Sequence, residues 1–508
     1  MPFQMNNDRQ ITGFLTRLNR QEPGDGLMKR CAKAPPVLGS QALSVSISSS
    51  LLCLIVLFFL TSPAWAQPST NTLPENRSAS TGTRLCEGVV TTTCLVAEIQ
   101  SFLASDMDQF KRQRATLALA QAQLADGRVK QALASYEQLE ATTAIAEFLV
   151  SYAKRLIADG DNNGALERLR EANSLLTEGQ SDLDRLNATR QRQSIAETFA
   201  QAGAAKEGRA ILEEIASYRT RIPLNPLLVA LILQVSQADA DIGFRDEAAT
   251  ILAETYALTL DQDVQATPEL ILQIFETWAS LDVDAATSAA EELAKAIGTE
   301  DPSAFELAIW TGLSAGLTSL DANVLERAEA SFVTAPGRSA ALLLVPKLSG
   351  AMKKAGKAEQ ARALLERARV EAADALTAPM EKAPVLLALA ESFASDNAPK
   401  QATTILDELL AMPQETGPAG MALRHYANAI PAQLASIGKI DEAYDLAMKA
   451  DSGIRDLSLV MAADKLATLE KYHEAMRFLH EVEGEIAVMM MAGMAERFAY
   501  APAKQITP

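Results

Sequence analysis

The sequence predicts an all-α protein built as a solenoid of stacked antiparallel helix pairs, and three observations predict it. A short phrase recurs from Gly127 to Ala475: a glycine or polar residue, four loosely specified positions, then alanine. It reads Gly127-Arg-Val-Lys-Gln-Ala132 and returns at Gly160–Ala165, Gly243–Ala248, Gly356–Ala361, Asn397–Ala402, Gly438–Ala443 and Glu470–Ala475. A turn that returns about every 32 to 43 residues between apolar helical stretches marks stacked helix pairs. Aromatic residues make up only 5% of the chain while alanine and leucine dominate, the composition of closely packed helices with small residues at their crossings. No sustained period-two alternation of β-branched residues is present, so no β-rich domain is expected.

The N-terminus reads as an export signal. Lys29, Arg30 and Lys33 precede the apolar run Leu51-Leu-Cys-Leu-Ile-Val-Leu-Phe-Phe-Leu60, and Ala64-Trp-Ala66 follows it. A basic region, a short apolar core and an Ala-x-Ala site together define a secretory signal peptide, here residues 1–66 with Met28 as an alternative start. Cleavage after Ala66 is expected; an uncleaved anchor in the cytoplasmic membrane is the alternative, although the core falls short of the roughly 20 apolar residues that span a bilayer. Removal of the leader leaves 40 basic against 61 acidic side chains, a net charge of −21. That charge repels nucleic acid and anionic lipid surfaces and keeps a long array soluble. The location implied is periplasmic or secreted.

Cysteine usage agrees with export. Two cysteines lie in the leader, leaving Cys86 and Cys94 to close a small disulfide loop in an oxidising compartment, with two free thiols as the alternative. Residues 67–94 are therefore read as a polar tether and disulfide loop, residues 95–333 as an N-terminal helical array, and residues 334–508 as a C-terminal array ending in a capping helix. The stretch Thr334-Ala-Pro336-Gly337 is the expected joint between the two arrays.

The repeat can be aligned on the alanine that opens each second helix: 132, 165, 248, 361, 402, 443 and 475, with Gly208 in its place in one unit. Twelve residues earlier stand Ala120, Ala153, Ala196, Ser236, Ser349, Ala390, Pro431 and Ala463. Four residues later come Tyr136, Leu169, Leu212, Leu252, Leu365, Leu406, Ala447 and Leu479. Small residues at a crossing let two helix backbones approach, and the large residue fills the space beyond. This three-position pattern resembles the tetratricopeptide family over roughly residues 112–485. The chain departs from that family in lacking most of its first-helix aromatics and its closing proline, and the pattern fades between Ala248 and Ala361, where Ala286 and Ala328 are the plausible anchors. The resemblance implies a right-handed superhelix of about ten pairs, whose first helices line a concave surface that binds a protein segment.

No catalytic, cofactor or metal site is expected. His473 and His480 are seven residues apart, whereas helical metal pairs sit at i, i+4. Met476, Met489, Met490, Met491 and Met494 offer thioethers to a soft metal, but they equally suit the buried face of a closing helix. Exported helical superhelices sometimes precede a peptidoglycan-cleaving domain; the repeats run nearly to the C-terminus and leave no room for one. Phosphate-binding glycine loops and a nucleophile elbow are missing.

The family's concave-surface positions fall on Leu117, Val150, Leu233, Leu387 and Val460 in one set, and on Gln121, Lys154, Glu197, Gln237, Glu391 and Asp464 in the other. Repeat proteins that clamp a terminal carboxylate resemble one another in placing lysine in the first set and asparagine in the second, and neither occurs in its place here. Apolar residues beside polar or acidic ones suit an amphipathic or basic segment of a protein partner. The expected function is a non-enzymatic interaction or scaffold protein of the bacterial cell envelope, with a superhelical relative of a cell-wall hydrolase lacking its catalytic domain, or a methionine-based metal carrier, as alternatives.

Overall fold

A computed structural model of the chain describes residues 86, 90–104, 107–177, 188–261, 267–297, 304–317, 322–334, 339–412, 418–450, 452–482 and 485–500. The expected leader and most of the tether lie outside the described residues. The described helices belong to one compact unit that includes Arg84–Pro508.

Among the described residues every regular element is a helix. In chain order they are α1 (Thr92–Leu103), α2 (Gln109–Ala125), α3 (Val129–Tyr136), α4 (Thr142–Ala158), α5 (Asn162–Thr177), α6 (Thr189–Gln201) and α7 (Ala205–Ala216). A one-turn helix, α8 (Tyr218–Arg221), precedes α9 (Pro226–Asp241), α10 (Arg245–Asp261), α11 (Pro268–Leu281), α12 (Val283–Ile297), α13 (Ala304–Gly316) and α14 (Ala322–Thr334). The remainder are α15 (Ser339–Lys354), α16 (Ala358–Ala375), α17 (Pro379–Ser395), α18 (Pro399–Leu410) and α19 (Pro418–Ser436). The last are α20 (Ile440–Lys449), α21 (Ser452–Thr468), α22 (Tyr472–Leu479) and α23 (Glu485–Tyr500).

The recurring phrase is a helix stop followed by a helix start. Its lead residues Gly127, Gly160, Gly243, Gly356, Asn397, Gly438 and Glu470 all have positive φ, as does Gly203 before Gly208. At the first of them Arg128 N–H donates to the Gln123 carbonyl at 2.8 Å and Gly127 N–H to that of Leu124 at 3.0 Å. The same six-to-one bond closes the helix before Asp161, Ala204, Phe244, Lys357, Ala398, Lys439 and Lys471. This is the left-handed cap that satisfies the last carbonyls of a helix, and glycine enters it without steric cost. Glu470, at φ 61°, carries a side chain there and Asn397, at φ 54°, a more tolerated one. Glu470→Gly is therefore expected to raise the unfolding free energy by about 1 kcal/mol, seen as a higher urea midpoint.

The three linked positions meet as aligned. The anchors Ala132, Ala165, Ala248, Ala361, Ala402, Ala443 and Ala475 are fully buried, as are Ala286 and Ala328 in the stretch where the pattern fades. Their partners twelve residues earlier are buried too, and of the residues four later only Tyr136 is partly exposed, stacking on Phe148 at 4.7 Å. At Gly208 the crossing is close: a Cβ would lie 2.4 Å from the carbonyl oxygen of Ala196, its own partner twelve residues back. Glycine stands in place of alanine because nothing larger fits.

First helices contact successive first helices in an unbroken series, α2, α4, α6, α9, α11, α13, α15, α17, α19, α21 and α23. Each second helix contacts its own first helix and the next one, α3 reaching α4 through the Tyr136–Phe148 stack. The series does not end at α23. That helix, expected to cap the array, packs against α2 and α1, so the solenoid closes on itself. Among the described residues α23 is a first helix with no second helix after it and α1 is a second helix with no first helix before it, and the two supply one pair between them. Leu95, Val96 and Ile99 of α1 and Val488, Ala492 and Ala495 of α23 are buried in this seam. Residues 335–338, in the expected joint, lie outside the described residues; the helices flanking them, α14 and α15, contact each other, and α13 contacts α15.

Candidate interaction surface

First helices pack on one another around the circuit, whereas second helices pack on first helices and meet one another through side-chain pairs such as Arg170–Glu207 and Tyr444–Phe478, so the first helices line the inner face. The polar positions singled out in the sequence lie partly or wholly exposed there: Gln121, Lys154, Glu197, Glu391 and Asp464 are half-buried and Gln237 is exposed. The apolar set divides. Leu117, Val150, Leu233 and Val460 are buried between helices, and Leu387 alone is half-exposed.

Ion pairs and hydrogen bonds knit this face, several of them reaching across an intervening helix. Lys347 on α15 contacts both carboxylate oxygens of Glu276 on α11, at 2.7 and 3.0 Å, passing over α13. Lys465 on α21 donates to Glu391 on α17 at 3.3 Å, passing over α19. Arg497 on α23 donates to Asp464 on α21 at 3.2 Å. Ser151 on α4 donates to Glu496 on α23 at 2.8 Å, passing over α2, while the Gln121 amide donates to Glu147 and to Ser151, each at 3.2 Å. Gln193 donates to Glu197 at 3.0 Å and Gln237 to Asp241 at 2.8 Å. Burial holds the Glu147 carboxyl above its ordinary range; the Gln121 and Gln191 hydrogen bonds and Arg114 oppose this, and Glu496 adds to it.

Two of the acidic residues expected to attract a basic segment, Glu391 and Asp464, are thus already neutralised by bases on neighbouring helices. What the face does offer is a half-exposed apolar stripe, Leu343 and Pro346 on α15, Pro384 and Leu387 on α17, and Leu457 on α21. The two prolines lie inside their helices. Each removes the N–H that would bond the carbonyl four residues earlier, leaving the Leu342 and Met380 carbonyls without their helical donor. Gly350 beside this stripe would meet nothing within 4 Å if it carried a Cβ.

Sequence reasoning missed Glu276, Lys347, Lys465, Glu496 and Arg497. Glu276 falls one residue out of register in the faded stretch, and Glu496 and Arg497 sit on the helix read as a cap. Among the methionines, Met476, Met491 and Met494 are buried, while Met489 is exposed and its sulfur accepts from Arg114 at 2.8 Å. His473 is exposed, the side chain of His425 lies outside the described residues, and His480 faces Glu98 at 3.3 Å. Among the described residues no cluster of three metal-ligating side chains occurs, and no helix is long and apolar enough to cross a membrane.

No protein-family model matches the chain, and no curated protein is significantly similar to it. Solved structures do align with it. Ton1535 of Thermococcus onnurineus is 14% identical over 75% of this chain and 99% of its own, with a TM-score of 0.28. A human IFIT1 dimer with a capped RNA, m7Gppp-AAAA, is 13% identical over 77% of each chain, with a TM-score of 0.22. A circular tandem repeat protein of novel repeat topology is 14% identical over 80% of this chain and 99% of its own, also at 0.22. Likeness at this level adds nothing to what the chain's own helices establish, which is an all-α solenoid of paired helices.

Proposed function

We propose that this chain is an exported, non-enzymatic interaction scaffold of the bacterial cell envelope, a divergent tetratricopeptide-type array whose inner face binds a segment of a protein partner. The observation that carries the reading is the unbroken lining of that face by one helix from every pair. The basic region, apolar core and Ala-x-Ala site of the leader support export, and so does the Cys86–Cys94 disulfide, whose Cα atoms are 5.3 Å apart. Because Glu391 and Asp464 are paired internally, the fitting partner is an amphipathic segment rather than a strongly basic one. Its apolar side chains would pack on Leu343, Pro346, Pro384, Leu387 and Leu457.

Photo-crosslinking residues placed at Gln237 and Lys154 on the inner face should capture the same partner in intact cells. Residues placed at Lys400 and Glu359, exposed on the second helices α18 and α16, should not. The crosslinked chain itself should begin at Gln67. Crosslinks from the outer positions alone, or a chain retaining its leader in the cytosol, would sink the proposal.

A further inference from the structure

Every helix pair but one is delivered by a short turn in the chain. The pair that closes the circuit, α23 with α1, has no such link, because its members come from opposite ends of the array. Three things hold α1 in place. The first is the burial of Leu95, Val96 and Ile99. The second is its own first turn, where Thr91 accepts from Cys94 N–H at 3.2 Å and Thr91 N–H donates to Cys94 Sγ at 3.3 Å. The third is a clasp on Glu98: one carboxylate oxygen accepts from the backbone N–H of Cys86 at 3.2 Å and lies 3.3 Å from Nε2 of His480 at the end of α22. The disulfide joins the second and third of these. Cys94 lies in the opening turn of α1, and Cys86, itself buried, is held over Glu98 by the bond between them. A helix of 12 residues is marginal in water without such support.

We propose that the Cys86–Cys94 bond is a redox latch on the seam. Oxidation seats α1 on α23 and completes the seam; reduction frees Cys86 from Glu98 and loosens α1 from α23, while α23 keeps its packing on α2. The electrons balance through a disulfide oxidant, a protein or small molecule. One cysteine thiolate attacks a sulfur of the oxidant to give a mixed disulfide, and the other displaces it. Two electrons and two protons pass to the oxidant, which leaves as two thiols. In the reverse step an incoming thiolate reaches Cys94, which is half-exposed, rather than the buried Cys86. The latch gives the proposed scaffold an order of events: α1 is loose before oxidation, and seated on α23 afterwards.

Hydrogen exchange of the purified chain, residues 67–508, tests this with and without a phosphine reductant. Reduction is expected to speed amide exchange at least tenfold in 92–103 and 485–500, while α9 to α17 stay unchanged. The double variant Cys86→Ser/Cys94→Ser should match the reduced protein; should it fail to fold, the reductant applied to the folded native chain gives the same reading. Faster exchange confined to residues 86–94, or spread evenly over all helices, would overturn the latch. The measurement uses isolated protein, so it stands or falls separately from export and from partner binding.

Discussion

Gly312→Ala and Gly316→Ala are each expected to destabilise the protein by about 2 kcal/mol or more, whereas Gly350→Ala should stabilise it slightly. All three glycines lie in first helices, and helix propensity alone favours alanine over glycine by about 1 kcal/mol in a helix interior. Packing decides otherwise at two of them. A Cβ on Gly312 would lie 2.6 Å from the carbonyl oxygen of Leu272, and one on Gly316 would lie 2.1 Å from that of Glu276, both backbone atoms of α11. A backbone atom cannot swing aside as a flexible side chain does, so α11 and α13 must separate along their whole crossing. Overpacking of this kind costs typically about 1–3 kcal/mol, enough to exceed the propensity gain. Gly350 meets nothing within 4 Å, so there the propensity gain is unopposed. Urea melts followed by circular dichroism read all three, and a stabilised Gly316→Ala would show that α11 and α13 are not in the close contact described.

That crossing also explains why the repeat fades where it does. α13 is buried along Leu307–Ala315, on every side, so it has no polar face and no helical period to read. Its glycines face the preceding first helix, whereas the anchor alanines report only on a first helix meeting its own second helix. The anchors and the positive-φ turns were legible because both are local chemistry repeated at a steady interval. Closure was not. It joins residues nearly 400 positions apart, and its trace in the sequence is an imbalance: one apolar helix too many before Gly127, and one first helix too many after Ala475. The inner-face ion pairs were hidden for a related reason. Glu276 with Lys347, and Glu391 with Lys465, join helices two apart in the circuit, so no spacing within a single repeat announces them.

Asp239→Asn is expected to stabilise the protein by about 1–2 kcal/mol at pH 7–8 and to have little effect near pH 4. Asp239 in α9 is 1% exposed, and its Oδ1 has no hydrogen-bond partner. Burial pushes its carboxyl up from 3.8 to about 6; Arg209 draws it down, while Glu247 and Glu213 raise it further. Arg209 is itself committed to Glu247 at 3.1 Å, which limits what it offers Asp239. The sign follows from proton counts. Between about pH 4 and 6 the folded chain keeps a proton on Asp239 that the unfolded chain has released, so this residue's contribution to stability falls as pH rises through that window. Above pH 6 the buried charge costs its full amount, and below pH 4 it costs nothing. Two pKa units correspond to almost 3 kcal/mol, reduced here because the asparagine amide is also buried and Arg209 loses a nearby charge. Urea titrations of both proteins across pH 4 to 8 should give stability curves that diverge with rising pH and run parallel above about 6.5. A gap that is constant with pH would place the gain in packing, and one that closes with rising pH would mean that Arg209 holds Asp239 ionised.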